Sequence, residues 1–113
     1  MNVNFSGYNE NAITMFCDST LNEGDAGIVV TVKEDATATK ATSSDSIFGV
    51  LLAVRDGYCS VQTRGFAKVS TEGKIPCGLK TLAPNDQGGV EVNATGRQLY
   101  VIESDDNYAG IFL

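Results

Sequence analysis

The sequence predicts an all-β fold: a single compact β-barrel or sandwich-like domain of about nine short strands, with an extended N-terminal arm. Three observations carry this expectation. Apolar residues recur at every second position or in short unbroken runs, Gly, Asn and Asp break them at intervals suited to turns, and helical spacing hardly occurs. Many short strands with regular turn signals fit a barrel or a sandwich. A length of 113 residues with 42% hydrophobic content suits one core. Residues 1–11 are taken as the arm and residues 12–113 as the domain.

The arm interleaves Asn2, Asn4, Asn9 and Asn11 with Phe5 and Tyr8. It is too polar for core, but two aromatics can anchor it to something else, so Phe5, Tyr8, Asn9 and Asn11 are the candidate partner-binding residues. Strands are then expected at Ala12 to Asp18 and Gly27 to Lys33. Thr37 to Ser46, rich in Thr, Ala and Ser, reads instead as an exposed, weakly packed ribbon or loop. Next come Ile47 to Val54 and Tyr58 to Arg64, joined by Asp56-Gly57, a strong short-range hairpin signal. In the second arm of that hairpin Tyr58, Ser60, Gln62 and Arg64 alternate with Cys59, Val61 and Thr63, one set solvated and the other packed.

Further strands follow at Phe66 to Ser70, Leu79 to Ala83, Gly89 to Asn93, Gln98 to Ser104 and Tyr108 to Leu113. Asn85 to Gly89 and Ala94 to Gly96 read as tight turns needing positive φ, and Asp105-Asp106-Asn107 makes the last hairpin turn. Gly110-Ile111-Phe112-Leu113 is apolar enough that it is expected to tuck into the sheet.

Composition removes several functions. With no histidine the chain lacks the commonest general base and metal ligand. The carboxylate pairs Glu23/Asp25, Glu34/Asp35 and Asp105/Asp106 fall at turns or strand ends, where acidic residues serve solubility, so no enzyme is expected. Neither Asp105-Asp106-Asn107 nor Asn85-Asp86-Gln87 has the spaced acidic loop of a specific calcium site, and Gly88-Gly89 leads into a strand rather than a phosphate-binding helix. No metal or cofactor is expected. A net charge of −6 with scattered basic residues disfavours nucleic acid. Residues 1–11 have neither the charge nor the apolar run of a leader, and no stretch reaches membrane-span length, so cytosolic synthesis and no membrane partner are expected. Cys17, Cys59 and Cys77 match no zinc or redox spacing and read as small buried apolar residues.

The central segment, Ile47-Phe48-Gly49-Val50-Leu51-Leu52-Ala53-Val54, then Asp56-Gly57, then Ser60-Val61-Gln62-Thr63-Arg64-Gly65-Phe66-Ala67-Lys68-Val69, resembles small head decoration (capsid cement) proteins of tailed bacteriophages. In those proteins a strand with an internal Phe-Gly-Val is followed by a short turn, a Val-Gln-x-x-Gly strand and a further strand. Phe5-Ser6-Gly7-Tyr8, Gly88-Gly89-Val90 and Thr95-Gly96-Arg97 are similar as well, so the likeness touches most of the chain. The resemblance implies a subunit made in the host bacterial cytoplasm that sits on the outer surface of the virion capsid. Its partner would be the major capsid protein, whose subunits it bridges, and it would be a homo-oligomer, a trimer first and a dimer second. The alternative is a phage tail or fibre accessory module recognising host surface glycan through Tyr58, Tyr100 and Tyr108, although the chain has no Trp. A subunit of some other assembly is the third reading.

Overall fold

The computed structural model describes residues 12–43 and 45–113, and they form strands joined by turns with one 3-10 turn at Glu23–Asp25. Strands β1 (Ala12–Cys17), β2 (Val29–Glu34), β3 (Thr37–Lys40), β4 (Gly49–Arg55) and β5 (Tyr58–Gln62) close a barrel in the order β1-β3-β2-β4-β5. Strands β6 (Phe66–Ser70), β7 (Gly78–Pro84), β8 (Val90–Val92), β9 (Arg97–Ser104) and β10 (Tyr108–Phe112) make a second sheet in the order β6-β10-β9-β7-β8. The expected all-β class is the one found. Phe5, Tyr8, Asn9 and Asn11 lie outside the described residues.

Closure depends on β1, which pairs antiparallel with β5 from Ala12↔Gln62 to Phe16↔Tyr58 and parallel with β3 at Phe16↔Thr37 and Cys17↔Ala38. A sheet closed on itself leaves no edge for foreign strands. The β4–β5 hairpin turns where expected: Asp56 (φ 53°) and Gly57 (φ 80°) are both left-handed, as a type I′ turn between Arg55 and Tyr58 requires.

Two clusters of buried side chains fill the molecule. Met15, Leu21, Val30, Ala38, Leu51, Cys59 and Val61 fill the barrel. The inner face of the second sheet, through Val69, Leu82, Leu99, Val101 and Ile111, packs on Val29, Ile47 and Val50 of the barrel wall and its approach. Val29 and Val30, and likewise Val50 and Leu51, therefore face different cores. That is the physical reason their runs are continuously apolar rather than alternating. Hydrogen bonds fasten the two parts together. Val29 N donates to Gly88 O at 2.8 Å, and Ser43 N donates to Asp86 Oδ1 at 2.6 Å.

Three expectations need correction. Thr37 to Ser46 is not a loop along its whole length: Thr37–Lys40 is β3, and Ala38, Thr39 and Ala41 are buried. Ala38 packs inside the barrel and Ala41 in the core beneath the second sheet, so small side chains that look weakly packed in sequence are core. The described strands number ten, in keeping with the nine or so expected. Gln62, expected on a solvated face, is buried, with Nε2 donating to the carbonyls of Arg64 (2.9 Å) and Phe66 (2.8 Å) where the chain leaves the barrel for the second sheet. Of the cysteines, Cys59 is buried and Cys17 half-buried, but Cys77 is exposed.

The turns are mixed. Asp86 (φ 67°) and Gly88 (φ 89°) have the positive φ expected, whereas Ala94 to Gly96 turns without any. Glycine is required at Gly96 for room instead, since a Cβ there would lie 2.1 Å from the Leu82 carbonyl oxygen. The apolar C-terminal stretch is tucked in as expected: β10 lies between β6 and β9, Ile111 is buried, and Leu113 N donates to Gly65 O at 3.0 Å.

Candidate functional site

The second sheet buries one face and presents the other, and its register decides what stands there. Phe66 on β6 is directly opposite Phe112 on β10, Phe112 is opposite Tyr100 on β9, and Tyr100 is opposite Leu79 on β7. Directly opposed residues share a face, so these four side chains form one apolar row across four strands. Leu79 is 49% exposed, Tyr100 56% and Phe112 39%. Phe66 and Phe112 meet edge to face with ring centroids 6.0 Å apart. Single exposed apolar residues are ordinary, but a contiguous row rimmed by polar groups marks a contact surface.

The rim is polar. One pleat along from the row, Lys68 on β6 and Glu103 on β9 flank Gly110 of β10, and their side chains approach to 3.9 Å. Both are about half exposed or more, so the pair contributes little to stability. Phe66 and Glu103 lean over Gly110, where an added Cβ would lie 2.6 Å from the Phe66 ring. Beyond them Tyr108, Ser104 and Asp105 join Lys68, Glu103 and Gly110 around a shallow groove of about 200 Å3.

A second exposed aromatic group stands on the barrel. Phe16 of β1 and Tyr58 of β5 are paired in register, with ring centroids 5.4 Å apart and 53% and 51% exposure. The three tyrosines considered for glycan contact are thus divided. Tyr100 and Tyr108 share the face of the second sheet, and Tyr58 belongs to the barrel.

Several side chains of the acidic runs are committed to backbone groups. Asp105 Oδ1 accepts the backbone N–H groups of Asn107 and Tyr108, both at 2.8 Å, and these bonds hold its carboxyl below the usual carboxylate range. Asn85 Oδ1 accepts from Gln87 N and Gly89 N at 3.0 Å, and Asp25 Oδ2 accepts Asn22 N at 2.9 Å. Among the described residues no three His, Cys, Asp or Glu side chains gather to hold a metal ion. Burial, together with the neighbouring Cys17 thiol, pushes the Cys59 thiol up to about 11. At neutral pH the free thiol stays protonated, which makes it a poor nucleophile.

Sequence reasoning missed the apolar row. Phe66, Leu79, Tyr100 and Phe112 are spread over 47 positions of chain, and only the strand order brings them together. Alternation against Ala67, Leu99, Val101 and Ile111 is the signal that would have placed each on the outer face. A scan against protein-family models finds no match to this chain, and a search of curated proteins finds none either.

Proposed function

We propose that the protein is a structural, non-enzymatic decoration (cement) protein that binds the outside of a mature phage head and stabilises it by bridging major capsid protein subunits. The observation that carries the reading is the presence of two separate exposed aromatic faces, Phe16–Tyr58 on the barrel and the Phe66–Phe112–Tyr100–Leu79 row on the second sheet. A clamp has to touch more than one neighbour, and two faces on one rigid β scaffold meet that need without a deep pocket. The described residues span 37 × 35 × 21 Å, a slab broad enough to lie across a junction. The segment similar to decoration proteins, Ile47 to Val69, contains the β4–β5 hairpin and most of β6, which agrees with the strand, turn, strand, strand order of that resemblance. Residues Phe5, Tyr8, Asn9 and Asn11 of the arm are proposed to add a further contact to the capsid.

Co-sedimentation of the purified protein with mature phage heads tests the proposal. Saturable binding at a fixed ratio to the major capsid protein is the expected result, and heads that sediment without it refute the cement role. The alternative of a glycan-recognition module is favoured by Tyr100 and Tyr108 standing on one polar-rimmed sheet face. Binding to host cell-wall polysaccharide, lost in Tyr100→Ala, would replace the first reading.

A further inference from the structure

We infer that the outer face of the second sheet pairs with the same face of a second copy of this chain, about a two-fold axis running along β10. The face is laid out for it. Strand β6 flanks β10 on one side and β9 on the other. In the row through Phe112, Phe66 stands on β6 and Tyr100 on β9; in the row through Gly110, Lys68 stands on β6 and Glu103 on β9. Rotation about an axis along β10 exchanges the flanking strands. Phe112 then meets its own counterpart, Phe66 meets Tyr100 twice, and Lys68 meets Glu103 twice.

An isologous interface requires this self-complementarity, in which a residue and its opposite number exchange roles across the axis. Aromatic side chains lie along the central row and the charges beside it, the usual division between an interface's core and rim. Charge also selects the partner. Two molecules of net charge −6 repel one another over most of their surfaces, but here a cation and an anion stand in positions that the axis superposes. Phe66 and Glu103 flank Gly110, and the shallow groove over it is left for the partner's side chains to fill. Two sheets packed face to face lie roughly 10 Å apart, a gap that side chains of this size can fill.

The inference assigns one of the two faces of the proposed clamp and leaves the barrel face for the capsid. It rests on that reading for its purpose only. A dimer that ignores phage heads keeps the interface and ends the cement role, and a monomer that binds heads does the reverse.

Sedimentation velocity on the full chain, with native mass spectrometry, tests it. The unaltered protein is expected to dimerise. Lys68→Glu and Glu103→Lys each place like charges together twice and should each raise the dimer dissociation constant about tenfold or more. An equimolar mixture of the two variants should restore association as a heterodimer, because the Glu introduced in one chain then faces the Lys introduced in the other. A monomeric wild-type chain, variants that associate like wild type, or a mixture that restores nothing would each overturn the interface. The mixture separates lost pairing from lost folding, since a variant that failed to fold could not be rescued by the other.

Discussion

Replacing Gln62 by Leu isolates the connection between barrel and second sheet. The Gln62 amide is buried, and its Nε2 donates to the carbonyls of Arg64 and Phe66 at 2.9 and 2.8 Å. Leu has a similar volume, so packing is nearly conserved while both donors disappear. Each buried carbonyl deprived of its donor costs about 1–3 kcal/mol. Arg64 is exposed, and water can reach part of what it loses. A total of about 2–4 kcal/mol follows, which lowers the melting midpoint of a chain this size by roughly 10 °C. Urea unfolding followed by circular dichroism reads the loss as a lower midpoint at unchanged slope.

Gln62→Glu keeps the shape but turns carboxylate oxygens toward two carbonyl oxygens, and it should be the worse variant at neutral pH. Burial and that repulsion raise the Glu pKa in the folded state above its unfolded value of about 4.3. Its contribution is therefore fully present below about pH 4 and lost as pH rises, so relative to wild type at the same pH the variant recovers on acidification. The reasoning fails if Gln62→Leu unfolds within about 0.5 kcal/mol of wild type, the usual scatter of neutral surface changes. A Gln62→Glu protein as stable as Gln62→Leu at neutral pH would also defeat it.

Two further outcomes follow from the turns. Gly57→Ala forces a Cβ into the left-handed region at φ 80° and should cost about 1 kcal/mol by urea unfolding, with the all-β circular dichroism spectrum retained. The Asp105 carboxyl is held below its ordinary pKa first by the Asn107 N–H and then by the Tyr108 N–H, so its stabilising effect is present above the unfolded pKa and lost as pH falls through the folded one. NMR titration should show the Asn107 and Tyr108 amide resonances shifting together at that low pH, and Asp105→Asn, which keeps an acceptor, should abolish the shift.

Most of the fold was legible because its determinants are local. Asp56-Gly57 specifies a two-residue turn whatever surrounds it, and Phe66–Ser70 begins and ends where alternation and turn residues place it. The missed strand, Thr37–Lys40, has no large apolar residue to announce it, and its burial comes from pairing with both β1 and β2. Gln62 was misplaced for the opposite reason. Its place in the alternation marks it as polar, but the carbonyls that it bonds belong to the exit from the barrel, which no period-two pattern encodes. The candidate site was the least legible part, because a cross-strand row is a property of strand order, and nothing local in the sequence specifies the order β6-β10-β9-β7.

That strand order also bears on how so small a protein would hold an assembly together in the proposed role. Neither face is extensive: the barrel offers one aromatic pair and the second sheet one row of four apolar side chains. Contacts of that size are weak singly, since ordering side chains and losing rigid-body freedom consume much of what apolar burial contributes. Joining them through two cores removes that penalty from the second contact. Once one face has docked, the other is held at an effective concentration in the millimolar range, and avidity can exceed either affinity by about 10²–10⁴-fold. A dimer through the second sheet would use that face for self-association and obtain the gain instead from two barrel faces in one particle. Gln62 stands at the join between barrel and second sheet, its amide holding the Phe66 carbonyl, so under the proposed role loosening that join in Gln62→Leu weakens bridging as well as stability.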